Sequence, residues 1–160
     1  MRADQSLRVE LLSRVEAARG ELMTAIQGLT DEQMTTPALD GWSVKDHLAH
    51  IAAWDELRYY EVMRVVRGQP TIYHDMRDMR DDYEVQDINR AATYFRRNLA
   101  PDEVLQEMDF TRARILELLE TVPEEKLSQA ADGRVRIRRA ADHDLDHAAQ
   151  IRAWPETEGI

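Results

Sequence analysis

Cysteine is absent from all 160 residues, which removes disulfides, thiolate metal ligands and a cysteine nucleophile at once. His, Asp and Glu are left to carry any metal or acid–base chemistry. Nor is there an apolar run approaching the roughly 18 residues that span a bilayer. The 43% of hydrophobic residues still suffices for a real core, in one domain covering residues 1–160. The stretch Met1 to Ser6 leads into a charged amphipathic pattern and has no apolar signal core, so a cytoplasmic protein is expected, with no membrane partner. Positive charge is in deficit. Lys and Arg number 21 against 31 Asp and Glu, and the net charge of −10 opposes nonspecific binding of nucleic acid. The run from Arg134 to Arg139 is a local exception, read as the solvated start of a helix or an ion-paired interface. Strand-like alternation, internal repeats and low-complexity segments are missing too.

What is present is an uneven distribution of histidine. Of five in the chain, four fall in two short stretches, His47 with His50 and His143 with His147, while His74 lies in an expected loop. Ser43 is a natural N-cap, and Asp46 three residues on completes a near capping box, so a helix is expected from Val44. On it, Val44, Leu48, Ile51, Val62 and Val66 fall on one stripe, with His47, Trp54 and Val65 on its flank and His50 at the edge of that sector.

The rest of the chain is helical by the same criterion. Leu7, Leu11, Val15, Ala18, Leu22, Ile26 and Leu29 recur at spacings of three and four and describe a first helix. Gly28 and the cap-like Thr30 to Gln33 end it, and the second helix runs from Val44 to about Arg67, stopped by Gly68 and Pro70. Residues 68–82 read as a long loop or loose crossover containing Tyr73 and His74. A third, long helix resumes by Gln86, breaks at Asn98 to Pro101 and ends before Pro123. After a turn at Pro123 to Leu127 and a tighter one at Asp132-Gly133, a final helix is expected from about Ile137 to Trp154, closed by Pro155. The fold expected is all-α, a four-helix bundle with a long, interrupted third helix.

On the final helix His143, His147, Gln150 and Trp154 share one side. Two histidines four apart rise only about 6 Å along the axis and point the same way, so both imidazoles can reach one ion. A third ligand must come from the second helix, as His50 or His47. Three neutral imidazoles with an open position suit Zn²⁺, Ni²⁺ or Fe²⁺ alike, and water on such an ion is a usable nucleophile near neutral pH. The rival account makes His143 and His147 polar residues of a partly exposed face, paired with Asp142, Asp144 or Asp146. For His47 beside Asp46, a surface or capping role is expected, and Trp42, Trp54 and Trp154 are expected as core aromatics.

The segments Trp42 to Asp46, His50 to Trp54, and His143 with His147 to Trp154 resemble the DinB/YfiT-like superfamily, particularly its ClbS/DfsB-type branch. Also similar are Asn89 to Asn98, Pro101 to Leu105 and Leu119 to Leu127, so that the likeness spans nearly the whole chain. The resemblance implies an up-and-down four-helix bundle, often dimeric, with a metal held by one histidine of the second helix and two of the fourth. Carried over, these are His50, His143 and His147. His47 occupies a position usually apolar in that branch and is an addition, not a ligand.

Relatives include thiol-dependent transferases and isomerases and proteins that protect producers from reactive metabolites. The function expected is therefore a metal-dependent enzyme acting on a small electrophile, by hydrolysis or by adding a low-molecular-weight thiol. A noncatalytic protein that sequesters a small molecule or confers self-resistance is the alternative, and a dimeric interaction protein without ligand is a third. A homodimer is expected from the resemblance and from the wide apolar face that includes Val62, Val65 and Val66.

Overall fold

The computed structural model describes residues 2–38, 41–71, 83–132 and 136–157. Tyr73, His74, Gly133 and Arg134 lie outside the described residues. Among those described there are seven α-helices and no strand: α1 Arg2–Ile26, α2 Asp31–Thr35, α3 Val44–Val66, α4 Tyr83–Phe95, α5 Pro101–Thr121, α6 Leu127–Ala131 and α7 Ile137–Thr157, with a 3₁₀ turn Glu124–Lys126 before α6. The four long helices α1, α3, α5 and α7 form the bundle. Helix α1 packs along α7 and α3 along α5, with α3 also meeting α7 and α4.

Local chemistry sets the boundaries. Gly28, at φ +83°, takes a left-handed conformation just past the end of α1, as Gly68 does at +67° beyond α3. Thr30 and Gln33 form a capping box for α2. Ser43 and Asp46 form another for α3, the Ser43 hydroxyl accepting from the Asp46 amide at 3.1 Å and the Asp46 carboxylate from the Ser43 amide at 3.0 Å. The third helix of the bundle is interrupted as expected, and α4 and α5 are its two parts. Lys45 holds the break, its buried ammonium donating to the Arg97 and Leu99 carbonyls at 3.0 and 2.8 Å. Pro101 occupies the first turn of α5, and Glu103 accepts from the Ala100 amide at 2.7 Å.

Two expectations are corrected. Pro155 does not close the last helix, which continues to Thr157. A proline forfeits only its own amide bond, and the residues after it can keep helical geometry. Leu127 belongs to the short helix α6 and not to a turn, because it and Ala130 and Ala131 pack fully into the core.

The core is split by charge. One apolar cluster gathers Leu11, Val15, Val62, Val65, Ile115, Leu119 and Ile137. The other holds Leu22, Leu48, Ile51, Val104, Met108, Ile151 and Trp154. On every long helix the residue between the two clusters is ionic: Arg19 on α1, Asp55 and Arg58 on α3, Arg112 on α5 and Asp144 on α7. Val62 and Val65 are thus interior to one chain and offer no face to a second copy.

Candidate metal centre

The site is built from the N-terminal half of α3 and the middle of α7. Because the Ser43 cap starts α3 at Val44, His47 and His50 sit in its first two turns, and the contact of α3 with α7 brings them against His143 and His147. All four imidazoles are buried, none more than 9% exposed. The Nε2 of His143 lies 2.6 Å from that of His50 and 3.0 Å from that of His147. The candidate ligand atoms of His50, His143 and His147 all lie within 4.8 Å of one another.

This donor set fits a divalent ion. Three imidazole nitrogens converging on one point are a common ligand set for zinc and its neighbours. Bonds of about 2.0–2.1 Å place neighbouring nitrogens of a tetrahedral site about 3.3 Å apart, so the rings need open only slightly to admit one. The outer nitrogens are held as well. Nδ1 of His50 faces Asn89 Oδ1 at 2.7 Å, and Nδ1 of His147 faces Gln150 Oε1 at 2.9 Å. Such outer partners orient a ligating ring and fix which nitrogen carries the proton.

Protonation of His50, His143 and His147 is disfavoured. Burial is the main cause for each ring. It lowers His50 to about 4, with the Asn89 bond opposing and the charges of His47 and Arg58 assisting. His147 is lowered to about 3, by burial and then by His50 and His47. His143 is held well below the ordinary histidine value by burial and then by the Arg58 guanidinium. Neutral imidazoles are what a metal requires.

Beneath the histidines lies the ionic layer. Asp55 and Asp144 are fully buried. Arg112 donates to Asp55 at 3.0 Å and to both oxygens of Asp144 at 2.9 and 3.1 Å. Arg19 donates to Asp144 at 2.9 Å and Asp55 at 3.2 Å. Arg58 donates to Asp55 at 3.1 Å and places a second nitrogen 3.5 Å from His143 Nδ1.

The arrangement brings together His50, His143 and His147, overturns the rival account of these rings and corrects one expectation. His143 and His147 do not lie on an exposed face paired with aspartates. Asp144 instead pairs with Arg19 and Arg112, while Asp142 and Asp146 reach outward to Arg14 and Arg139. His47 is neither a surface residue nor a cap: its Nδ1 lies 2.9 Å from His147 Nδ1, because the next turn after the cap already faces α7. Trp54 and Trp154 are buried as expected. Trp42 is half-buried, its ring centroid 5.2 Å from that of His47 and 5.5 Å from that of His50.

Asn89, Asp55, Arg19, Arg58 and Arg112 went unnoticed in the sequence, yet a signal was there. Ile51, Asp55, Arg58 and Val62 are spaced four, three and four, so both charges occupy a buried stripe. Val15, Arg19 and Leu22 repeat the pattern, as do Met108, Arg112 and Ile115.

A search of curated proteins returned no match. Among solved structures, the chain is similar to an uncharacterised protein from Escherichia coli UTI89, at 15% identity and a TM-score of 0.76, with 96% of this chain and 95% of that one covered. That likeness is one of fold. A family model described as the DinB superfamily matches residues 14–154. With that match running from the middle of α1 to the end of the histidine-bearing face of α7, the chain belongs to the DinB superfamily.

Proposed function

We propose that the protein is a metal-dependent enzyme of the ClbS/DfsB-type branch that acts on a small electrophilic molecule in the cytoplasm, by hydrolysis or by addition of a low-molecular-weight thiol. The observation that carries this is the convergence of three buried imidazoles, His50, His143 and His147, on one point. A divalent ion held there supplies Lewis acidity to lower the pKa of a water or thiol. Around it, Asn89 and Gln150 orient the rings, and Trp42 and Trp54 pack against His50.

One observation favours the alternative of a noncatalytic sequestering protein. The Nε2 of His143 lies at hydrogen-bonding distance from those of both His50 and His147, so the cluster can also be satisfied by protons alone. Elemental analysis of protein prepared without a histidine tag decides between them. About one equivalent of Zn, Ni or Fe per chain is expected, and turnover of generic electrophiles with water or thiol should follow metal content. A chain that resists loading with all three ions loses the enzyme reading to the sequestering one. Light scattering on the same preparation should give a homodimer, and an 18.6 kDa species at micromolar concentrations removes that part of the proposal.

A further inference from the structure

With Val62 and Val65 interior, a second copy must meet some other face, and the outer side of α3 has the symmetry to receive one. Counted from Tyr60, its exposed or half-buried positions recur three, four and seven residues away in both directions. Met63, Arg64 and Arg67 lie toward the C-terminus, and Leu57, Glu56 and Ala53 toward the N-terminus. The face is therefore symmetric in position about Tyr60, itself 49% exposed. In charge it is not. Glu56 stands on one arm and Arg64 and Arg67 on the other, and none of the three has an ion-pair partner among the described residues.

The relief of the surface follows the same two arms. A cavity of about 230 Å³ lies between Ala53, Glu56 and Leu57 of α3 and Ala91 and Phe95 of α4. Beyond Leu57, which borders both, a second of about 290 Å³ is lined by Tyr60, Arg64, Arg67 and Gln69. Phe95 stands at the first with 76% of its surface exposed, although a phenyl ring has no polar atom to favour water. The flank toward α5 is aromatic too. Tyr60 meets Tyr59 with ring centroids 5.7 Å apart, and the Arg114 guanidinium lies 4.0 Å over Tyr59 and 5.7 Å from the exposed Phe110 ring.

We infer that a second copy of this chain docks on the outer face of α3, the two α3 helices running antiparallel across a two-fold axis at Tyr60. That axis sets Tyr60 against its own copy and brings the Glu56 arm of each chain against the Arg64 and Arg67 arm of the other. It also carries each projecting Phe95 ring to the level of the other copy's second cavity. A parallel pairing would set arginine against arginine. In a chain of net charge −10 two copies repel, so association needs a face where opposite charges meet. From Ala53 to Arg67 the helix rises only about 21 Å, and a stable dimer buries about 800 Å² per copy, so Phe95 of α4 and Phe110 of α5 belong to the contact as well. This inference rests on the homodimer reading above and is independent of the metal.

Sedimentation equilibrium of the full chain tests it. Phe95→Ala should raise the dimer Kd by about tenfold or more, since symmetry counts each lost contact twice. Glu56→Arg should raise it by about the same factor, and adding Arg64→Glu and Arg67→Glu to that variant should restore it, because the two arms have then exchanged signs. The chain has no cysteine, so Tyr60→Cys supplies a single thiol at the axis. Mild oxidation should join two such chains, whereas Met23→Cys on α1 should stay unlinked. A dimer whose Kd ignores Phe95→Ala and Glu56→Arg, or that cross-links through position 23 and not 60, overturns this face while the homodimer reading stands. A wild-type chain that stays monomeric at micromolar concentrations overturns both and leaves the face to a different partner.

Discussion

At the scale of single residues the site separates into rings that meet at Nε2 and groups that hold them from behind. Alanine at position 50, 143 or 147 should lower Zn²⁺ binding severely, since two remaining imidazoles make a poor site. The same change at His47 is expected to weaken binding by about tenfold without abolishing it, because His47 touches the outer nitrogen of His147 and Gln150 remains to hold that ring. Isothermal titration of the four variants checks the order. Full loss of binding in His47→Ala with retention in His50→Ala would falsify the choice of His50 as third ligand. The pairing of His143 with His147 was legible in the sequence because four residues make one helical turn. Spacing alone did not choose between His47 and His50, since it gives two rings on α3 without saying which one joins the cluster; the family resemblance made that choice.

At the scale of elements, α3 and α7 carry both the histidines and the charges that brace them. Asp144 follows His143 directly and receives Arg19 and both ends of Arg112, so α1, α5 and α7 are tied at the level of the site. Removing one partner of a buried ion cluster strands the others. Asp144→Ala is therefore expected to destabilise the fold by about 3–5 kcal/mol, read from denaturant unfolding, while Asp146→Ala, whose partner Arg139 is exposed, changes it by less than about 1 kcal/mol. Equal effects of the two would mean that the layer is not a structural tie. Helix boundaries were legible wherever a cap or a glycine marked them, as at Ser43 and Gly68. The ionic layer was missed because the helical stripes were traced through apolar residues alone, although Asp55 and Arg58 keep the period of the apolar stripe. The short helices α2 and α6 carry too few turns to show a period.

For the whole molecule, a bundle expected from periodicity alone is present, and none of its described helices is long and apolar enough to cross a membrane. What periodicity could not show is that the bundle has two large apolar compartments with an ionic floor between them, on which the buried imidazoles of His50, His143 and His147 stand in neutral form. That placement makes stability depend on pH in a defined direction. The folded values of His50 and His147 lie near 4 and 3, and that of His143 is also depressed, all below the ordinary 6.5. The unfolded chain therefore binds more protons than the folded one below about pH 6.5. Stability is complete above that value and falls as acid is added, until the folded rings themselves take up protons near pH 4 and below. Each ring contributes at most about 1.4 kcal/mol per pH unit in this window, so His50 and His147 together give a slope approaching about 3 kcal/mol per unit, and His143 acts in the same direction. Between pH 7 and 5 the chelator-treated protein should lose about 4 kcal/mol from His50 and His147, a large part of the stability of a small domain. Chemical unfolding of chelator-treated protein at half-unit steps tests this, and a flat profile from pH 7 to 5 would show that the imidazoles are not buried in neutral form. Excess Zn²⁺ should raise stability by a similar increment from pH 7 to 5 and lose its effect only near pH 4 and below, where the folded rings take up protons and the proton competes with the ion for the same nitrogens.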